Sequence, residues 1–361
     1  MATAKRRAVD DLRRRSLLAR KHGMLIRDLE QEQRTMPDPD TALDDDIGDE
    51  LLRLIFTACH PKLSREARAA LALRMICGLT TEEIARAFLQ PEATIAQRIV
   101  RAKRTLSVSG LAYETPRGAE LSERLASVLE VVYLIFNEGY TAARGDEWLR
   151  PQLCNDALRM GRVLTLVAPQ EAEAHGLLAL MELNASRTAA RTDAAGDPVL
   201  LMDQNRARWD QLQIRRGLTA LTRARELGGG NGFYTLQAAI VACHARAATP
   251  GETEWPRIAA LYAELAALMP SPVIELNRAV AIGMAEGPAA ALAIVDRLAS
   301  EPALKNYHLL GSVRGDLLCK LGRHAEARAA FEAAMALAGN RREQELLKRR
   351  IAEVAEHGER R

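Results

Sequence analysis

The run SREARAALALRMICGLTTEEIARAFLQPEATIAQRIVRAKRTL, residues 64–106, has the residue spacing of three short helices. The first helix is expected to end at Gly78, because glycine tolerates the left-handed conformation on which helices often end. The second is expected to begin at Thr80, whose hydroxyl can cap the helix while Glu83 returns a hydrogen bond to complete a capping box. Pro91 then suits the first turn of the third helix.

The third helix has one apolar and one polar face. The apolar residues recur at helical spacing and are expected to face the second helix: Ile95, Ile99, Ala102 and Leu106. The polar face carries hydroxyl, amide and guanidinium groups: Thr94, Gln97, Arg98, Arg101 and Thr105, with Lys103 and Arg104 beside it. A short helix crossing a second helix with such a face is typical of a helix-turn-helix. Gln and Arg suit base edges in the major groove, whereas Lys and flanking Arg suit phosphates. A solvated basic face on an ordinary helical hairpin is the alternative.

GLTTEEIARAF, residues 78–88, and PEATIAQRIVRAKRTL, residues 91–106, together resemble the fourth conserved region of bacterial RNA polymerase sigma factors of the extracytoplasmic-function (ECF) group. In that family this domain binds the promoter −35 element and docks on the polymerase. The resemblance implies that the DNA contacts come from Glu92, Thr94, Gln97, Arg98 and Arg101. Leu89 departs from the family pattern, because many members have a glycine in this turn.

The composition of the whole chain favours an all-α protein. Hydrophobic residues make up 48% of the chain but aromatic residues only 4%, which indicates helices rich in Ala and Leu. The length of 361 residues is enough for two or three domains. The formal net charge is only +3, so a nucleic-acid interface has to come from a local patch. The chain has no apolar run long enough to span a membrane and no signal peptide, so we expect a cytoplasmic protein without a membrane partner.

No catalytic, metal or cofactor site is predicted. The five cysteines are scattered without a C-x-x-C pair and are expected to be reduced. Cys59-His60 and Cys243-His244 are adjacent pairs, and adjacent residues point to different faces of a helix. The sequence has no Gly-rich phosphate loop and no nucleophile–base arrangement. We therefore do not expect an enzyme.

Two segments of opposite charge precede the helix-turn-helix, which we assign to residues 51–110. Residues 1–34 open with TAKRRAVDDLRRR, which resembles the last helix of the second conserved region of sigma factors; a basic, partly solvated tail is the alternative. Most of that second conserved region is expected to be missing before Met1. Either the chain is truncated, the start codon is misassigned, or the protein has lost that part. Residues 35–50 continue an acidic stretch, with ten acidic residues and one basic between 28 and 50, and are predicted to be a linker.

The family-specific helical extension is assigned to residues 111–210. VVYLIFNEGY, residues 131–140, places aromatic residues on one helical face, where a core role is favoured over a binding site. Helices are expected at residues 153–167 and 171–187, separated by Pro169. The loop that ends in LLMDQNRARWD is predicted to be a structural loop held by salt bridges, with an interaction loop as the alternative.

Residues 211–361 are predicted to be helical hairpins similar to tetratricopeptide (TPR) repeats. A unit at 308–341 meets that pattern closely: Gly315, Leu318, Gly322, Ala327, Phe331 and Ala334. A weaker copy spans 272–305, and a degenerate pair spans 233–247 and 255–269. Stacking would bury the apolar face of each hairpin, and residues 341–357 would form a capping helix.

The expected fold is therefore all-α, with a helix-turn-helix followed by a TPR-like hairpin array. The layout resembles the ECF sigma subgroup with a C-terminal TPR-like extension, which implies promoter DNA and core RNA polymerase as partners, and a protein or peptide partner for the hairpins. A stand-alone helix-turn-helix regulator with TPR-like repeats is the alternative. A third is a peptide-binding scaffold whose basic helix never meets DNA.

Overall fold

The computed structural model describes residues 53–88, 90–110, 114, 116, 119–140, 149–194, 196–339 and 341–359. The regular elements in these residues are helices, apart from one isolated β-bridge between Thr192 and Pro198. The α-helices are α1 (53–58), α2 (Arg65–Met75), α3 (Thr81–Ala87), α4 (Glu92–Val108), α5 (Ala119–Tyr140), α6 (Pro151–Val167), α7 (Ala172–Ala185), α8 (Gln211–Glu226), α9 (Phe233–Arg246), α10 (Trp255–Leu268), α11 (Pro272–Ala285), α12 (Pro288–Leu298), α13 (His308–Lys320), α14 (His324–Leu337) and α15 (Arg341–Glu359). The all-α prediction is confirmed.

The local signals of the helix-turn-helix are present as predicted. Gly78 follows α2 with a φ of 73°, which allows the chain to leave the helix. The amide of Glu83 donates to the Thr80 hydroxyl at 3.1 Å, and the Thr80 amide donates to the Glu83 carboxylate at 2.7 Å, which confirms the capping box. Pro91 is the N-cap of α4 and not its first helical residue. Leu89 lies outside the described residues.

Helical hairpins make up the rest of the described chain. Successive helices from α5 to α14 pack in pairs, and α15 packs on α14. The repeat positions at which the two helices of the 308–341 unit pack together are buried. Leu318 and Ala327 are fully buried, and Phe331 is only 1% exposed. Gly322 has a φ of 74° in the turn between the two helices of this unit. The predicted hairpin array is therefore present in the structure.

The apolar core runs without interruption from the helix-turn-helix into the hairpins. One cluster of buried side chains extends from Ile55 in α1 to Ala281 in α11. A second cluster begins at Leu276 and continues to Val354 in α15. The first cluster includes side chains of both α4 and α5. The helix-turn-helix and the helical extension that follows it therefore share one core.

A polar bridge reinforces this shared core. The buried Arg124 of α5 donates to the backbone carbonyl of Phe56 at 2.9 Å, and the Ser127 hydroxyl donates to the carbonyl of Cys59 at 2.5 Å. Arg68 of α2 donates to Ser127 and, at 3.0 Å, to Glu130. These bonds satisfy the free carbonyls at the end of α1, so α5 acts as a cap for a helix of the neighbouring domain.

Two longer connections tie the hairpins together. The Glu173 carboxylate of α7 accepts from the amides of Tyr234 and Thr235 at 2.8 and 3.1 Å, which caps the start of α9. Asp197 pairs with Arg342 at 2.7 Å and with Arg349 at 3.3 Å, which joins the loop before α8 to the last helix. The end of the array is thereby held against the extension that follows the helix-turn-helix.

The predicted basic helix at 1–34 and the predicted linker at 35–50 lie outside the described residues. None of the described helices is long and apolar enough to cross a membrane.

Replacing Arg124 with methionine is expected to destabilise the protein by about 1–3 kcal/mol, because the carbonyl of Phe56 loses its donor while it stays buried. Urea unfolding measures this change. The control is Arg104→Met on the exposed face of α4, which should change stability by less than about 0.5 kcal/mol. Equal effects of the two substitutions would contradict the role of the bridge.

A methyl group at Gly315 is expected to disrupt the α13–α14 hairpin. A Cβ there would lie 2.6–2.8 Å from ring atoms of Phe331, so Gly315→Ala forces the ring to move and should cost about 1–3 kcal/mol. The matched control is Gly251→Ala, where nothing lies within 4 Å of the added carbon. Thermal unfolding of both variants tests the prediction, which fails if Gly315→Ala is as stable as the control.

Candidate nucleic-acid interface

The orientation of α4 follows from its apolar face. Ile95, Ile99 and Ala102 are buried against α2 and α3, and Leu106 is half-buried beside them. The predicted inward face is confirmed. Since these residues point into the core, the polar residues between them are turned outward.

All the residues proposed from the sequence to contact DNA lie at the surface. Five are exposed: Glu92, Gln97, Arg101, Lys103 and Arg104. The other two, Thr94 and Arg98, are half-buried. Gln97, Arg101 and Arg104 follow one another at helical spacing and share the outward face of α4. This face is therefore not covered by the other described helices.

A groove lies between part of this face and the start of α2. It is lined on one side by Lys62, Leu63, Ser64 and Ala67, and on the other by Thr94, Gln97, Arg98, Arg101, Ala102 and Thr105. Four of the residues proposed from the sequence thus meet in one groove, whereas Glu92, Lys103 and Arg104 lie outside it. The cations of the groove can neutralise the phosphates of a nucleic acid.

The sequence interpretation missed the contribution of Lys62 and Ser64 to this groove. Ser64 is the N-cap of α2, and its side chain accepts from the amide of Ala67. A Lys two residues before a helix N-cap is a recognisable signal for a phosphate contact, because helix N-termini also favour anions. The sequence alone did not place this helix start beside α4.

Arg98 is less exposed than Gln97 and Arg101 on α4. The pKa of Glu66 is lowered, chiefly by a hydrogen bond from its own backbone amide and in part by the charges of Arg98 and Arg65. Glu66 therefore attracts the Arg98 guanidinium when no nucleic acid is bound. Arg101 and Gln97 are the more freely presented members of the set.

The thiols and histidines do not form a reactive or metal-binding centre in the described residues. All five cysteines are free, and burial raises the pKa values of Cys59 and Cys77 to about 12. The part of the chain that the structure describes contains no group of three or more His, Cys, Asp or Glu residues able to hold a metal ion.

The charged loop before α8 is structural. Asp210 caps α8 through the amides of Leu212 and Gln213. Arg206 donates to the carbonyls of His244 and Ala247 at 2.7 and 2.6 Å. The sequence interpretation favoured a loop held by salt bridges. Asp197 of this loop does form ion pairs, with Arg342 and Arg349, whereas Asp210 and Arg206 bind mainly backbone groups.

Comparison with known families identifies both parts of this architecture. Residues 53–106 match the family model described as sigma-70, region 4, which coincides with α1 to α4. Residues 124–225 match a family of unknown function, DUF6596, which covers most of α5 through α8. The match to region 4 indicates a sigma-factor-like, DNA-binding role in transcription.

One relative is similar over most of the chain. An uncharacterized protein of Rhizobium meliloti (strain 1021) is 45% identical over 307 residues, which span 85% of this chain and 72% of that protein. The chain therefore belongs to the family of this Rhizobium protein, and it is a sigma-factor-like protein in which a sigma-70 region 4 domain is followed by a DUF6596 domain.

Proposed function

We propose that the protein is an RNA polymerase sigma factor of the ECF type that recognises the promoter −35 element through α4. The observation that carries this proposal is the match of residues 53–106 to sigma-70 region 4, together with the exposure of the polar face of α4. Its activity is binding and positioning, and the polymerase supplies the chemistry of RNA synthesis.

Each side chain of the interface has a role that follows from its chemistry. Arg98 and Arg101 have the forked donors that suit guanine, and Gln97 suits adenine. Glu92 is able to accept from the amino group of cytosine, and Thr94 suits several bases. Lys103 and Arg104, outside the groove, and Lys62 within it suit phosphates.

The hairpin array is proposed to regulate this activity. Its support is the polar bridge from α5 to α1 and α2, because a displacement of α5 would pull on the carbonyls of Phe56 and Cys59 and so on the orientation of the helix-turn-helix. A protein or peptide that binds the TPR-like hairpins would act through this connection.

Capture of core RNA polymerase by the tagged full-length chain tests the sigma assignment. We expect a stoichiometric complex that forms without promoter DNA, since a sigma factor joins the polymerase before it reaches the promoter. The alternative is a stand-alone helix-turn-helix regulator, and the exposed face of α4 is equally compatible with it. Specific DNA binding without any capture of polymerase would favour that alternative.

Alanine at Arg98 and at Arg101 tests the assignment of α4. Duplexes selected from a random library by the polymerase complex supply the DNA, and each substitution should weaken binding by roughly 5–150-fold, because a lost bidentate base contact costs ~1–3 kcal/mol. Each variant should also lose the preference of the wild-type protein for a particular base at one base pair of the selected duplexes.

The control for both variants is Arg328→Ala, an exposed arginine of α14 that pairs with Glu332 four residues on. It should leave affinity and preference unchanged. Wild-type affinity in both Arg98→Ala and Arg101→Ala would show that α4 does not contact the DNA, whatever the result with polymerase.

A further inference from the structure

A second pair of neighbouring guanidinium groups, those of Arg187 and Arg206, lies within the residues that match DUF6596, far along the chain from α4. Together with Trp209 and His244 they are defined as the arginine–aromatic cluster. The Arg206 guanidinium carbon lies 4.9 Å from the centre of the Trp209 ring, and that of Arg187 lies 5.9 Å from it. Arg206 also donates to the carbonyl of His244, so the four residues are contiguous.

The positive charge of this cluster is not balanced by carboxylates. Neither Arg187 nor Arg206 forms an ion pair with an Asp or Glu of the described residues. Burial and the charge of Arg187 lower the pKa of Arg206, and Glu252 offsets this only in part. Burial and the two guanidinium groups lower the pKa of His244 to about 4, so its ring is neutral at pH 7.

Polar atoms of all four residues are buried without a hydrogen-bond partner among the described residues: Nε of Arg187, Nε of Arg206, Nε1 of Trp209 and Nδ1 of His244. Trp209 is only 4% exposed and His244 only 7%. A buried polar atom without a hydrogen-bond partner costs about 1–3 kcal/mol, so three unpaired donors and one imidazole nitrogen in one place need an explanation.

Packing alone does not account for these atoms. Arg206 has a structural role, since its other nitrogens bind the carbonyls at the end of α9 and the hydroxyl of Thr253. Arg187 has only one such bond, to the side-chain oxygen of Asn184. Its guanidinium carbon lies 6.0 Å from the ring centre of Tyr140 and 5.9 Å from that of Trp209, and its other donors have no acceptor among the described residues.

From these observations we infer that the arginine–aromatic cluster is a binding site for a small oxyanion, a phosphate or a carboxylate group, held chiefly by Arg187. An oxyanion supplies the acceptors that the buried donors lack and the negative charge that the cluster lacks. Arg187 and Arg206 are half-buried, so part of each side chain reaches solvent and a small ligand, whereas Trp209 and His244 are buried. This site is independent of the proposed DNA interface.

Thermal unfolding of the full-length chain tests the site. Low-millimolar sodium phosphate or sodium acetate is compared with sodium chloride at matched ionic strength, and the two anions distinguish a phosphate from a carboxylate ligand. We expect one of them to raise Tm by about 2–4 °C in a saturable manner, because a ligand that binds only the folded state stabilises it. An identical Tm in all three salts would overturn the inference.

Three variants locate the effect. The double variant Arg98→Ala with Arg101→Ala should keep the anion-dependent rise, which excludes binding at α4. Arg187→Gln should lose it, and the exposed control Arg323→Gln should keep it. Retention of the full rise in Arg187→Gln would overturn the inference.

Arg187→Lys provides a second measurement in case the glutamine variant does not fold. It keeps the charge but loses the forked donors, so we expect at least roughly tenfold weaker anion binding from the loss of a charge-assisted hydrogen bond. Unchanged affinity in this variant would equally overturn the inference.

Discussion

The hydrogen bonds between α5 and the end of α1 determine how the two halves of the protein are arranged. Arg124 is a buried cation that reaches across to the carbonyl of Phe56, and Ser127 does the same for Cys59. Burying a guanidinium is costly, and Arg124 offsets part of that cost by donating to the Phe56 carbonyl and to Glu120, although its Nε has no partner among the described residues.

The hairpin array extends this arrangement by close packing of small residues. Ala279, Ala291, Ala327 and Ala334 are nearly fully buried where helices cross, which lets neighbouring helices approach closely. Long polar contacts then fix the stack at its two ends. Glu173 caps α9 from α7, and Asp197 holds α15. These contacts join helices that are distant in the chain and add to the packing between successive hairpins.

Arginine has different tasks in different parts of the molecule. Arg101 and Arg104 are exposed on α4, where solvent stabilises their charge. Arg124 and Arg206 donate hydrogen bonds to backbone carbonyls within the protein, at the ends of α1 and α9 respectively. Arg187 belongs to neither group, because it is half-buried beside aromatic rings and most of its donors have no acceptor among the described residues. Net charge alone conceals these differences.

The sequence by itself determined the local features. It predicted the capping box of Thr80 and Glu83, the inward face of α4 and the hairpins of the 308–341 unit, because these depend on helical periodicity and on hydrogen bonds between residues three or four apart. Only the tertiary structure decided which helices meet. Lys62 lines a groove with Arg101, Arg124 caps a helix 68 residues away, and Asp197 pairs with a residue 145 positions further on. Contacts between residues so distant in the chain leave no periodic signal, because they depend on how the apolar faces of all the helices pack together.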